Sequence, residues 1–133
     1  MELHLLEENF RSKILDRIYD ALILSYAGMK FLDLKNKVSE IFSTDELIPS
    51  AGQGIIALQS RENDDEIISI LNKINHLETN FQAQAERSIL KILEGDCETA
   101  VGAHAKIDGK KITLAAELFS LDGTKRFYEK NSA

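Results

Sequence analysis

At 133 residues and a formal net charge of -6, the chain has room for one domain or two small pieces of a larger one, and its acidity argues against a general nucleic-acid binder or a host for a polyanionic ligand. Apolar residues make up 44% and charged residues 29%, as in ordinary globular chains, and no apolar run approaches the roughly 20 residues a membrane helix needs. The single cysteine cannot close an internal disulfide and the first residues lack a signal-peptide pattern, so the expectation is a reducing, cytoplasmic setting with neither membrane nor nucleic acid as partner.

Leu6, Phe10, Ile14 and Ile18 recur at spacing four and predict an amphipathic helix over 6–18, with Glu7 and Glu8 in its first turn and Arg17 in its last. Residues 19–25 end in a continuous apolar run, which predicts a short strand buried on both faces, as in a parallel sheet. Ala27 and Gly28 then lead into a helix predicted over 30–42, with Leu34, Val38, Ile41 and Phe42 on one face. Strand, small-residue turn and helix make half of a βαβ unit. Ligands of open α/β sheets sit at the carboxyl ends of strands, so the turn at 25–28 is a candidate ligand contact.

Residues 43–53 read as loop and 54–58 as a short apolar strand. Gly52-Gln53-Gly54 leads into that strand and has two readings. One is an ordinary glycine turn; the other is a cradle of backbone N–H groups with an amide side chain aimed at a ligand. Asn63 is the expected N-cap of the next helix, with Asp64, Asp65 and Glu66 in the first turn and Ile67, Ile70, Leu71 and Ile74 as its stripe. A further helix is predicted over 79–94. A Thr79–Gln82 capping box opens it, Phe81, Ala85, Ile89, Ile92 and Leu93 share a face, and Gly95 stops it.

After residue 97 the apolar period changes from helical to alternating. Val101, Ala103 and Ala105 alternate, Asp108-Gly109 signals a tight hairpin, and Ile112, Leu114, Ala116 and Leu118 alternate again. Leu121-Asp122-Gly123-Thr124 then turns the chain into a third strand at 125–128. The expected fold class is α+β overall. An incomplete α/β piece with a crossover segment covers 1–73, and a small domain with a three-stranded antiparallel sheet and a packed helix covers 74–133. The sheet would be poorly covered as the chain stands, so a further segment beyond residue 133 is expected.

Cys97 lies between the 79–94 helix and the meander. Taken alone, a thiol there is either a small buried hydrophobe or a chemical handle. His4, His76 and His104 show no metal-ligand spacing with it, and no metal site is expected. His104 is out of phase with the apolar strand positions and reads as solvent-facing. The acidic cluster at 62–66 reads as a solvated helix start. No Ser-His-Asp or Cys-His arrangement, phosphate loop or dinucleotide fingerprint occurs.

Several motifs, in order, carry a resemblance. Pro49-Ser50-Ala51-Gly52-Gln53-Gly54, with Ala57-Leu58-Gln59-Ser60-Arg61 after it, resembles the Pro-Ala-x-Gly-Gln-Gly…Glu-x-Arg signature of the porphobilinogen deaminase (hydroxymethylbilane synthase) family. Asn75-His76-Leu77-Glu78-Thr79, Ala85-Glu86-Arg87, Leu93-Glu94-Gly95-Asp96-Cys97 and Val101-Gly102-Ala103-His104-Ala105 are similar to later stretches of that family, and Tyr19-Asp20-Ala21 and Ala27-Gly28-Met29-Lys30 to earlier ones.

The resemblance implies a three-domain enzyme. Two of its domains are α/β and similar to periplasmic binding proteins; the third is small, with a three-stranded antiparallel sheet. Residues 1–50 would be the later part of the second domain, 51–73 would cross back to the first, and 75–133 would be most of the third. The implied reaction joins four porphobilinogen units into hydroxymethylbilane with release of ammonia. It is primed by a dipyrromethane cofactor held through a thioether, here on Cys97, since a thiolate is a soft nucleophile suited to such a bond. Gln53 and the backbone at Gly52, Ala27 and Gly28 would line the cofactor cleft. The implied partners are porphobilinogen, the growing polypyrrole chain and an N-terminal domain of the same enzyme.

The sequence also departs from the pattern. Phe31 follows Lys30 where an arginine is usual, Ala100 replaces a proline, Asp96 a glycine and Gln59 a glutamate. The family's catalytic aspartate belongs to its first domain, so no catalytic residue is assigned in this chain, and the chain alone is expected to be an inactive fragment. The alternatives are a diverged, non-catalytic remnant or a small interaction module.

Overall fold

The structure, a computed structural model, describes residues 20–94 and 99–133. The helix expected over 6–18, the Gly95 stop and Cys97 lie outside the described residues. The chain divides into two units, Met1–Ile41 and Phe42–Ala133.

In the first unit, Ser25 is extended and its hydroxyl oxygen accepts from the Gly28 N–H, which starts helix α1 at Tyr26–Phe31. Leu32 closes the helix and Asp33 takes a left-handed φ of 56°, a conformation that interrupts an α-helix and that Asp tolerates better than most residues. A 3-10 turn, Lys35–Lys37, follows. The helix expected over 30–42 therefore does not form, and Leu34, Val38, Ile41 and Phe42 share no helical face. The strand expected at 19–25 is also absent from its described part. Asp20–Ser25 is irregular, with Ile23 and Leu24 exposed. A doubly buried strand needs hydrogen-bonding neighbours, and among the described residues none pairs with this segment.

The second unit opens with a loop segment. Ser43 donates through both its N–H and its hydroxyl to Glu46 Oε2, at 2.8 and 2.7 Å. The strand expected at 54–58 is irregular, with Ile56 and Leu58 exposed. Helix α2 spans Asp65–Ile74, and its cap is Asp64 rather than Asn63, because Asp64 Oδ1 accepts from the Ile67 N–H at 3.2 Å.

Helix α3 spans Leu77–Ile92. It starts earlier than the Thr79–Gln82 pair predicted. The His76 ring nitrogen takes the Thr79 N–H, and Gln82 reaches away to the Ala105 carbonyl, so the expected capping box is not made. At its other end Glu94 adopts a φ of 51°, taking the left-handed role expected of a glycine.

Strands β1 (Val101–Asp108), β2 (Lys111–Phe119) and β3 (Arg126–Ser132) form an antiparallel sheet in that order. Gly109, with φ 60°, supplies the first position of the two-residue β1–β2 turn. The third strand runs past the expected 128. The register pairs Ala103 with Ala116 and Ala105 with Leu114, which collects the small and apolar alternation on one face. Helix α3 packs mainly along β1. Among the described residues the buried apolar core is Ile48, Ala103, Ala105 and Ala115, and the three strand alanines are small enough to let helix and loop approach the sheet closely. These three helices and one antiparallel sheet make a small α+β fold. Among the described residues no helix is long and apolar enough to cross a membrane.

Candidate functional site

The Gly52-Gln53-Gly54 motif forms two overlapping turns. Gln53 N–H donates to the Ser50 carbonyl and Ile55 N–H to that of Gly52, both at 3.0 Å. Gly52 and Gly54 both sit at φ 80°, a region costly for any residue with a Cβ. A Cβ built on either glycine would meet nothing within 4 Å, so the backbone there faces open space that a flat ligand could occupy. Gln53, between them, is exposed.

This turn is tied to the sheet. β1 is an edge strand, whose outward N–H groups need acceptors. The Ala103 N–H finds the Pro49 carbonyl at 2.9 Å. The next outward donor, the Ala105 N–H, finds Glu86 Oε1 at 2.9 Å, and the same oxygen lies 3.2 Å from His104 Nδ1. Glu86 Oε2 takes the Gly52 N–H at 2.7 Å. Glu86 is only 3% exposed, and Gln82, one turn earlier on α3, donates to the Ala105 carbonyl at 3.0 Å. A buried carboxylate is tolerable when its oxygens are filled with donors, as they are here.

Two consequences follow for the sequence reading. His104 is not simply solvent-facing: it is half-buried against Glu86, because α3 reaches the β1 edge where His104 sits. The Gly52 N–H faces Glu86, so what the turn offers a ligand is the Gln53 side chain and the open backbone faces. Glu86 stands in the Ala85-Glu86-Arg87 stretch of the resemblance, but its buried role at the strand edge is not predicted from the sequence. The available signal was a charged residue four positions after Gln82 and three before Ile89, on a packed helix face. Sequence alone does not reveal the strand-edge donors that make burial there favourable.

A second fastening lies across the sheet. Asp45 accepts from Lys106 Nζ of β1 at 2.8 Å and from Lys130 Nζ of β3 at 3.2 Å. The hydrogen bond from Lys106, then that from Lys130, holds its carboxyl below the usual carboxylate range.

Of the predicted site residues, Gly52 and Gln53 stand together in the turn. Ala27 and Gly28 lie in the first turn of α1, in the other unit, where the Gly28 N–H donates to the Ser25 hydroxyl. Cys97 lies outside the described residues; α3 and β1, the elements that precede and follow it in the sequence, are joined through Glu86 and Gln82.

Two family profiles match the chain: porphobilinogen deaminase, dipyromethane cofactor binding domain, over residues 8–69, and porphobilinogen deaminase, C-terminal domain, over residues 80–133. The porphobilinogen deaminase of Nitrobacter winogradskyi is 42% identical over 110 residues, covering 83% of this chain and 34% of the relative. That of Desulforamulus reducens is 37% identical over 113 residues, covering 85% of this chain and 37% of the relative. That of Chloroherpeton thalassium is 37% identical over 104 residues, covering 78% and 33%. The chain thus spans about a third of the length of these relatives.

Proposed function

The chain belongs to the porphobilinogen deaminase family, and from that premise we propose that it is the cofactor-bearing C-terminal part of a hydroxymethylbilane synthase. The whole enzyme would act in the cytoplasm as a transferase of tetrapyrrole and haem biosynthesis, joining four porphobilinogens and releasing ammonia at each addition. The observation that carries this reading is the order of the two matched domains along one chain, with Cys97 inside the second. We place the domain boundary at 73/74, in the stretch between the two matched segments. The segment before it is read as part of a periplasmic-binding-protein-like α/β domain.

In this reading Cys97 holds a dipyrromethane through a thioether, and Ala27, Gly28, Gly52 and Gln53 line its cleft. The residues suit such a group. The open faces of Gly52 and Gly54 leave room for a flat pyrrole against the backbone, and the exposed Gln53 amide can donate to a pyrrole carboxylate. When bound, the cofactor supplies the pyrrole terminus from which the chain is extended. The protein's part is to fix the sulfur on the α3–β1 connection and to orient the acidic side chains. The catalytic carboxylate and most of the arginine clamp would come from the enzyme's first domain, so the chain alone is read as inactive.

The test is the intact mass of the chain made in a cell with tetrapyrrole synthesis. An increment of two pyrrole units on wild type, lost in Cys97→Ser, is expected. Equal, unmodified masses for both would leave the non-catalytic remnant or interaction module as the better reading.

A further inference from the structure

We propose that Glu86 is a positioning residue that locks the Gly52-Gln53-Gly54 turn to the β1 edge and so fixes where Gln53 is presented, a role that rests on the function proposed above. The turn is weakly constrained from within. Its two glycines permit many backbone conformations, and its internal hydrogen bonds reach back only to Ser50 and Gly52. Among the described residues, from Ser50 to Asn63 a single hydrogen bond reaches a helix or strand, and that is Gly52 N–H to Glu86 Oε2 at 2.7 Å.

The chemistry of the lock requires a carboxylate. The Gly52 and Ala105 N–H groups and the His104 ring nitrogen converge on one side chain, and the two N–H groups take different oxygens. A carboxylate is acceptor-only on both oxygens, whereas an amide would turn an NH2 toward one of these N–H groups. At 3% exposure, moving Gly52 away would leave a buried charge short of a donor. The loop and the strand edge are therefore coupled: the turn cannot shift without exposing or under-satisfying Glu86. The same carboxylate grips β1 just after the Cys97 connection, so one residue relates the Gln53 turn to the strand that follows the anchoring cysteine.

The experiment is backbone amide exchange, followed by NMR on this chain. In Glu86→Gln the Gly52 amide is expected to exchange ~10- to 100-fold faster than in wild type, the loss of one charge-assisted bond, while Ala116 in the central strand keeps its protection. An unchanged Gly52 rate overturns the lock. Equal acceleration of Gly52 and Ala116 also overturns it, since Glu86 would then support only the fold. Should Glu86→Gln fail to fold, Glu86→Asp keeps the charge but shortens its reach. It is expected to free Gly52 selectively, and wild-type protection in it would overturn the proposal. Adduct mass is read on the same proteins. Lower occupancy in the variant than in wild type is expected, and equal occupancy overturns the positioning role. Absence of an adduct on wild type would count against the proposed function, while the exchange rates would still decide whether the lock exists.

Discussion

Gly102 of β1 and Ile48 of the covering loop approach so closely that a Cβ built on the glycine would lie 2.8 Å from the Ile48 carbonyl oxygen and 3.1 Å from its Cγ2. On the same strand face that Cβ would also meet Glu117 Cγ at 3.2 Å. Glycine inside a strand is usually a weakness; here it permits a backbone-to-backbone approach. The obstructing atom belongs to the main chain, and the Pro49 carbonyl next to it is bonded to Ala103, so the loop cannot yield freely. Gly102→Ala is expected to cost about 1–3 kcal/mol, the usual range for overpacking. A denaturation series would show it as a lower midpoint at unchanged slope; an unaltered midpoint would mean the loop is loosely held.

This contact also marks what the sequence could and could not disclose. The meander was legible because the alternation at 101–105 and 112–118 and the Asp108-Gly109 turn signal are local, although the turn forms one residue later, on Gly109 and Lys110, with Asp108 paired to Lys111. The Gly52-Gln53-Gly54 motif was legible as a turn for the same reason. What covers the second sheet face was not, since Ile48 and Asp45 meet β1 and β3 from 54 or more positions away, as the Gly102 and Lys106 contacts show. The misread elements, 19–25, 30–42 and 54–58, all lie before α2. Short apolar runs there suggested strand or helix, but Ser25 and Asp33 set α1 by local capping and a left-handed residue. The apolar runs at 21–24 and 55–58 stay irregular where no neighbour strand pairs with them among the described residues.

Glu117 and Arg126 make the sheet's other buried charge arrangement. Glu117 is 7% exposed and one of its oxygens accepts from Arg126 Nε at 2.9 Å and Nη2 at 2.8 Å. The guanidinium also lies 5.3 Å from the Tyr128 ring centroid. Arg126→Ala leaves a buried carboxylate without its main donor. Because the arginine is half-exposed, water can replace part of the loss, and a cost of about 1–2 kcal/mol is expected. Arg126→Lys keeps the charge but not the two-pronged donor, so its loss should be smaller yet measurable. Thermal unfolding of both variants beside Glu117→Gln checks this; an Arg126→Ala protein within about 0.5 kcal/mol of wild type would show the pair to be dispensable.

Two surface carboxylates should mark the acid limb of stability. The Ser120 hydroxyl, then the Thr124 N–H and hydroxyl, hold Asp122 at about 2 instead of 3.8. Asp45 is lowered below 3.8 by its hydrogen bonds from Lys106 and then Lys130. In both cases the folded value lies below the unfolded one. The stabilisation is thus complete above the unfolded value and is lost as pH falls through the folded one, which for Asp122 places the loss between 3.8 and about 2. A carboxyl-carbon NMR titration is expected to give an Asp122 midpoint near 2. Lys106→Met should raise the Asp45 midpoint more than Lys130→Met, and neither should move Asp122. A wild-type Asp45 that titrates at 3.8 would contradict the bridged geometry.

Ile48 and Ile70 are the same residue type with opposite expectations. Ile48 is 7% exposed beneath the sheet and packs on Gly102, so Ile48→Ala removes buried methyl groups and is expected to cost about 2–4 kcal/mol. Ile70 lies on the α2 stripe with Ile67 and Ile74, is 49% exposed, and α2 packs against no other helix or strand among the described residues. The helix is held by its own turn chemistry: Asp64 caps it, and Asp65 and Glu66 meet the positive end of its dipole. Ile70→Lys should therefore change the chain's stability by no more than about 0.5 kcal/mol while making it less prone to self-associate, because it interrupts an exposed apolar stripe. Urea midpoints for the two variants, with light scattering for the second, decide the matter. A large loss of stability in Ile70→Lys would mean that the stripe is already covered in solution, by a second copy of the chain or by packing within it.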